Sequence, residues 1–323
     1  MYFFSWIKRI IFVYLPLKSG LNKTTMKLAF LISVQKDACH LRDLVNSLPS
    51  DADYFIHVDL NCDLHHFKRL LQGDNIHFVS HRVRIVSGSI SEVEAQVALI
   101  RSALVFGADR LIMIGGLDYP LWSNNRIEDF FSTVGDKQIV CGVAMPGQGR
   151  AAYRYTDFQL FNNHAWSSGS FKNRVRRFAK LVLSGSHVHK TLRVHCQNKT
   201  YTLYKGGTSW AITQELGKLI VREWDDNKQM RTYFSTSYCP VETFVPTVAF
   251  NSIFAPNCML VKGKRTEARF LMPLTYLDAR ISAKVLTEVD FRSVCDCDRM
   301  FVRQVVSDYS DGLKSMIDAR RKG

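Results

Sequence analysis

No CxxC pair occurs in this chain, although it carries eight cysteines. Cys39, Cys62, Cys141, Cys196, Cys239 and Cys258 stand apart, and the one close pair is Cys295-x-Cys297. The tighter paired spacing of a zinc site is therefore missing. Scattered thiols point to a reducing compartment, and one or two disulfides in a lumen or periplasm are the other reading. A membrane-spanning run is also missing, since a span needs about 20 apolar residues. The apolar and basic start, MYFFSWIKRIIFVYLPLKSGLNKTTMK, is interrupted by Lys8, Arg9 and Pro16 and lacks a clean signal-peptide cleavage site. Two readings of it stay open: an interfacial anchor, with Trp6 and the phenylalanines at the lipid boundary, or an upstream extension of a domain that begins at Met26. Acidic residues are scarce, with 29 Asp and Glu against 43 Lys and Arg, for a net charge of +14. That excess suits nucleic acid, an anionic membrane surface or a phosphorylated substrate. A recognised nucleic-acid-binding motif is absent, which removes the first of these. There is no internal repeat, low-complexity tract or long linker.

What is present is a regular first half. LAFLISV (28–34) reads as a buried strand, and ACHLRDLVNSL (38–48) as a helix with apolar spacing of three and four. YFIHVD (54–59) is a second strand, HHFKRLL a short helix and IHFVS (76–80) a third strand. SEVEAQVALIRSALVFG (91–107) reads as a long helix, with Ser91 or Ser89 as its N-cap and Gly107 after its end. RLIMIG (110–115) and RIEDFFSTV (126–134) add a strand and a helix. This alternation predicts an α/β fold, a mainly parallel sheet flanked by helices. The second half is looser. Residues 172–199 form a basic segment, read as a helix followed by a loop. QELGKLIVREW (214–224) and PVETFVPTVAFNS (240–252) read as helices, and 288–305 as a terminal helical unit. With apolar residues at 46%, a full core is available, and a single domain over 26–313, followed by a basic tail over 314–323, is the economical division.

Several stretches carry chemistry beside a plainer reading. Asp59 closes IHVD at the carboxyl end of a strand, where open α/β sheets bind ligands, and it also suits a loop cap. GGLDYPL places Asp118 after two glycines at another strand end, as a site carboxylate or a structural turn. SGSISEVEA offers small residues before a helix N-terminus, which can cradle an anion on backbone N–H groups. In CPVETFVPT, Pro240 opens a helix and puts Glu242 in its first turn. A carboxylate there complements the helix dipole, or it serves as a general base toward an acceptor hydroxyl. Asp296-Cys297-Asp298 spells Asp-x-Asp but does not follow a buried strand, and His187, His189 and His195 lie in the basic segment. Neither group reads as a metal site.

Taken in order, these stretches resemble glycosyltransferase family 14, which holds the core-2/I-branching β-1,6-N-acetylglucosaminyltransferases and the peptide O-xylosyltransferases. The likeness runs from about Lys27 to about Asp311. YFIHVD matches the family's hydrophobic-His-Val-Asp, Ser91 to Ala95 its Ser-x-Val-x-Ala, and Gly116 to Pro120 its Gly-x-Asp-Tyr/Phe-Pro. GGTSWAITQEL resembles its Gly-Ser-x-Trp segment, with Trp210, Thr213 and Glu215. Pro240-Val241-Glu242 with Thr247 matches its Pro-Asp-Glu stretch, and Phe301 to Val305 is similar to its closing Phe-Ala-Arg-Lys-Phe.

The resemblance implies a GT-A-like single-domain fold, a UDP-sugar donor, a glycan acceptor and no metal or other cofactor. Basic side chains near the C-terminus would meet the diphosphate. The family's lysine position reads Gln304 here, so Arg303 and Arg280 become the expected donor contacts, with Lys284 and Lys264 as alternatives. Glu242 inherits the general-base role. Asp59, Ser87 and Gly88 would contact the uridine, with Val34 against the base and Asp118 nearby on the donor side. Arg150, Arg154, Tyr155 and Trp210 would face the acceptor or the sugar. Val241, where the family has aspartate, reads as a local packing change. N-acetylglucosamine is the first expectation for the donor sugar and xylose the second, and a degenerate, non-catalytic binder is the rival. Cysteine usage and the lack of a secretory span predict a cytoplasmic enzyme, with peripheral contact at the inner face of an anionic membrane as an open reading.

Overall fold

The computed structural model describes residues 26–145, 154–160, 171, 174–175, 178, 189–197, 199–261, 267–278 and 284–322. Its first half holds β1 (Leu28–Val34), α1 (Ala38–Asn46), β2 (Asp53–Val58), α2 (Leu64–Leu70), β3 (Ile76–Phe78), α3 (Ser91–Val105), β4 (Arg110–Gly115), β5 (Asp118–Pro120) and α4 (Asn124–Thr133). Its second half holds β6 (Cys141–Met145), β7 (Arg193–His195), β8 (Thr200–Gly206), β9 (Trp210–Thr213), α5 (Gln214–Asp226) and α6 (Lys228–Ser235). A 3-10 turn (Pro240–Glu242), α7 (Phe244–Phe250), β10 (Met259–Leu260), α8 (Ala268–Leu271), β11 (Thr275–Leu277), α9 (Phe291–Cys295), β12 (Phe301–Arg303) and α10 (Asp311–Lys322) complete it.

The central sheet has the order β3-β2-β1-β4-β9, parallel except for β9, which runs antiparallel to β4 at one edge. β1 is apolar at nearly every position because helices cover both faces of the sheet. Successive side chains point to opposite faces. Ala29 and Leu31 therefore join the core that contains Leu99, Trp210 and Phe244. Phe30 and Ile32 join the core that contains Leu41, Phe131 and Phe301. Because β1, β2 and β4 run in register, their carboxyl ends at Val34, Val58 and Gly115 line one edge.

Two smaller sheets flank this one. The first has the order β10-β6-β8-β7, and an isolated bridge between Ile139 and Ala211 ties its neighbourhood to β9. The second has the order β11-β12-β5, with β12 parallel to β11 and antiparallel to β5.

The last stretch corrects the reading of 288–305 as one helical unit. A 3-10 turn and α9 end at Cys295, and Phe301–Arg303 is a strand whose partner Asp118–Pro120 lies far back in the chain. Residues 314–322, set apart above as a tail, are the body of α10, which buries Leu313, Lys314 and Ile317. Its charges are anchors: Lys314 pairs with Asp43 at 2.6 Å, and Arg321 donates to the Ser47 and Trp122 carbonyls at 2.5 and 2.8 Å. The cap of α3 differs too. Ile90 occupies the N-cap without a side-chain bond, while Gly107 adopts positive φ after the helix, as expected. β6, β8 and α6 are elements the sequence pattern left unmarked, and most of the basic segment 172–199 lies outside the described residues.

Candidate active site

The carboxyl edge carries Asp59 and Asp118, and both are consumed by the fold. Asp59 is buried, and its two oxygens accept from the N–H groups of Asn61 at 2.7 Å and Ile85 at 3.0 Å. Asp118 is fully buried. It forms a two-pronged ion pair with Arg303, whose Nη2 lies 2.9 Å from Oδ2, and whose Nε donates to Oδ1. Gly115 N–H, at 2.9 Å, and the Thr275 hydroxyl, at 3.3 Å, also donate to Oδ2. Asp118, expected on the donor side, is the counterion of Arg303. The glycine pair before it has a steric cause. A Cβ on Gly115 would stand 2.5 Å from Nη2 of Arg303, and one on Gly116 would stand 2.9 Å from the Val34 side chain.

The small-residue turn is likewise closed on itself. The N–H groups of Val86 and Ser91 donate to the hydroxyls of Ser91 and Ser89, and that of Ser89 to the Val86 carbonyl. Gly88 N–H donates to Oε2 of Glu92 at 2.9 Å. The expected anion cradle therefore has these four donors already spent on its own side chains and backbone. Ser87 stands exposed at the tip.

Glu242 sits differently. Cys239, in the left-handed region, opens the 3-10 turn that presents it. Its carboxylate is partly exposed and accepts from the Tyr155 hydroxyl at 2.8 Å, with the Lys205 ammonium at 3.4 Å. Tyr155 is buried, and its hydroxyl is held well above the ordinary tyrosine value, by burial and then by the negative charge of Glu242. The 3-10 turn packs on the start of α3, which brings Glu92 into electrostatic reach of Glu242. Burial, with the charge of Glu242 added, pushes the Glu92 carboxyl up to about 7, against the pull of Gly88 N–H.

One short segment joins the two halves. Lys205 on β8 contacts Glu242, and Thr208, three residues on, lies 3.4 Å from Nη1 of Arg303. Three residues span at most about 10 Å of extended chain. Arg303 and Glu242 are therefore linked through residues 205–208 at the end of β8.

The model of the core-2/I-branching enzyme family matches residues 28–269, most of the chain. The chain belongs to this family. It is a glycosyltransferase. Among solved structures it is similar to a 4-diphosphocytidyl-2C-methyl-D-erythritol synthase from Anaerococcus prevotii, with 8% identity, a TM-score of 0.35, and coverage of 75% of this chain and 89% of that one. It is also similar to a mannosyltransferase from Pyrobaculum calidifontis bound to GDP-mannose and Mn2+, with 10% identity, a TM-score of 0.27, and coverage of 50% and 49%. Likenesses this loose decide nothing about chemistry. No curated protein matches the chain.

In this transferase the remaining expected residues divide. Val34 is buried at the end of β1. Trp210 is also buried, within the core, so it does not present a face to a sugar, and its indole N–H has no partner among the described residues. Tyr155 bonds Glu242 from the interior, whereas Arg154 is exposed, with its guanidinium 6.0 Å from the ring of Tyr238. Val241 is a core residue, consistent with a packing role. Lys284 is engaged by Asp290 and lies 4.0 Å from Asp278. Arg150, Arg280 and Lys264 lie outside the described residues. Asp298 pairs with Arg126 at 3.2 Å, and no group of three or more His, Cys, Asp or Glu among the described residues could hold a metal ion.

Two residues at the site, Lys205 and Glu92, escaped the sequence reading. A lysine inside TYTLYKG is a visible irregularity once that stretch is recognised as a strand. Glu92 was hidden, because an acid in a first helical turn ordinarily serves the dipole.

Proposed function

We propose that this transferase moves a sugar from a UDP-sugar to a glycan hydroxyl with inversion, in β-1,6-branching fashion, and that Glu242 is the base. N-acetylglucosamine is the favoured donor sugar, with xylose the alternative. Glu242 takes the proton of the acceptor hydroxyl as that oxygen attacks the anomeric carbon. The bond from this carbon to the diphosphate breaks on the opposite face, and UDP leaves with the electron pair. One carboxylate suffices, because the diphosphate is a good leaving group without protonation.

The observation that carries this reading is the clamp on Glu242. A buried tyrosine hydroxyl and a lysine fix one carboxylate oxygen, while the group stays accessible. A carboxylate serving only the helix dipole needs neither partner. On the donor side, Arg303 is held by Asp118 with Nη1 toward Thr208, and it is the cation we assign to the diphosphate. Asp118 has its oxygens filled by Arg303, Gly115 and Thr275, which supports transfer without a metal at that carboxylate. Asp59, Ser87, Gly88 and Val34 remain the proposed uridine side, and Arg154 the acceptor side. The rival reading, a nucleotide-sugar binder without turnover, draws on the same Arg303–Asp118 pair, since a neutralised arginine binds phosphate less strongly. No helix among the described residues is long and apolar enough to cross a membrane. A peripheral contact with an anionic membrane would draw on the net charge of +14.

The test is Glu242→Gln, assayed with UDP-sugars and glycan acceptors, with and without EDTA. Turnover is expected to fall by about 10²–10⁴-fold, the usual contribution of a positioned base, while UDP affinity and melting temperature stay near the wild type. Wild-type turnover is expected to survive EDTA. Turnover of the variant within a few-fold of wild type removes Glu242 from the mechanism, and a loss on chelation restored by manganese overturns the metal-free reading.

A further inference from the structure

The start of α3 carries a carboxyl that no step of the proposed transfer uses. Glu92 reaches back one turn to accept from Gly88 N–H at 2.9 Å. Gly88, at φ 74°, lies against the Cys239 thiol, whose sulfur would be 3.6 Å from a Cβ placed there. Cys239 in turn begins the 3-10 turn that carries Glu242. A run of neighbours therefore leads from Glu92, through Gly88 and Cys239, to Glu242. The charges follow the same path: Glu92 acts on Glu242, and both act on Cys239. The Lys205 ammonium stands 3.4 Å from Glu242.

We propose that Glu92 is a positioning residue for the transfer: it holds the Gly88 turn against the Cys239–Glu242 turn, and its own charge adds to the field in which Glu242 works. The inference rests on Glu242 being the base. With Glu92 neutral, Glu242 faces the Lys205 ammonium alone. With Glu92 ionised, a second negative charge is within electrostatic reach, which favours transfer of the acceptor proton toward this carboxylate pair. Tyr155, Tyr238 and Cys239 also face the cluster, with Arg154 beyond Tyr238, and the two phenols and the thiol do not change charge near neutrality. Burial and the carboxylates push the thiol up to about 11, and the phenols are displaced upward as well. Glu92, shifted to about 7, is the switching charge.

The experiment is a pH–turnover profile from pH 5 to 9 for the wild type, Glu92→Gln, Glu92→Asp and Glu242→Gln, each with a melting temperature. In Glu92→Gln the amide oxygen still accepts from Gly88, so the turn is retained while the charge is removed. The wild type is expected to gain about three- to tenfold in turnover through an inflection near pH 7. Glu92→Gln is expected to be flat there, at the level of the low-pH wild type, and Glu92→Asp to regain an inflection. A wild-type profile without an inflection, or one that survives unchanged in Glu92→Gln, overturns the inference. A purely structural role would lower the melting temperature and leave the profile's shape intact. Glu242→Gln separates the two layers. If it is inactive while Glu92→Gln keeps the inflection, this inference alone fails. If it turns over within a few-fold of wild type, the base assignment fails and takes this inference with it.

Discussion

The carboxyl edge and the Glu242 cluster stand side by side and treat charge in opposite ways. At the edge each charge meets its complement: Asp118 holds Arg303, and Asp59 caps two backbone N–H groups. Around Glu242 the charges are less completely matched: its carboxylate has the Lys205 ammonium at 3.4 Å, and the neighbouring Glu92 carboxyl is displaced toward neutrality. The first arrangement builds a rigid wall with a fixed cation on it. The second leaves a group whose protonation can change. Stability and turnover should therefore respond separately to substitutions in the two regions.

The sharpest break in that contrast is Asp118→Asn. It leaves the Arg303 guanidinium with an uncompensated charge, and removing one partner of a buried pair costs about 3–5 kcal/mol. Thermal or denaturant unfolding should show a loss of this order. A loss below about 1 kcal/mol would show that solvent already screens the pair. Lys205→Met probes the other region. A charge-assisted contact contributes about 1.5–3 kcal/mol, and at 3.4 Å the lower end applies. Turnover should fall roughly tenfold, with little change in melting temperature, and the reverse pattern would erase the distinction between the regions. Gly115→Ala returns to the wall with a smaller push. The added methyl meets Nη2 of Arg303, and overpacking of this kind costs about 1–3 kcal/mol. UDP affinity should weaken with it, because the displaced cation is the one assigned to the diphosphate, and unchanged UDP affinity would remove Arg303 from the donor side.

The smallest effect concerns Lys190, which carries the same logic away from both regions. It is buried without a carboxylate partner among the described residues, and its ammonium donates to the Tyr233 carbonyl and the hydroxyls of Thr236 and Ser237. Burial pushes it down to about 7. The folded protein thus gives up this proton more readily than the unfolded chain, which loses it near 10.5. The group's contribution to stability is complete above that value and is lost as pH falls through about 7. The melting temperature of the wild type relative to Lys190→Met should therefore climb between pH 7 and 10, by a few degrees. A difference that stays constant would show that Lys190 remains charged throughout.

Much of the first half was legible because its strands are buried on both faces. LAFLISV and RLIMIG correspond to β1 and β4 residue for residue. The second half was less so. TYTLYKG alternates between buried and partly exposed positions, which masks a strand among turns. Phe301–Arg303 is three residues long, and its ladder to Asp118–Pro120 depends on a contact no local pattern carries. The site shows the same division. Glu242 was found as a residue, but its partners Tyr155 and Lys205 come from distant segments. Asp118 stood out in the sequence, but its ion pair could not be read there, since the counterion lies 185 positions later.

That separation has a consequence for how the protein is made. A ribosome releases the chain N-terminus first, at about 5–20 residues per second. The strands β1 to β4 can pair as soon as they emerge, yet Asp118 has no counterion until Arg303 is outside the tunnel. The same holds for the anchors on α1, since Ser307 donates to Asp37 and Lys314 to Asp43. A nascent chain halted short of these residues would carry a formed sheet with an unpaired buried carboxylate at its functional edge. The pairing at this edge thus waits on residues 303–314, nearly two hundred positions after the strand that carries Asp118.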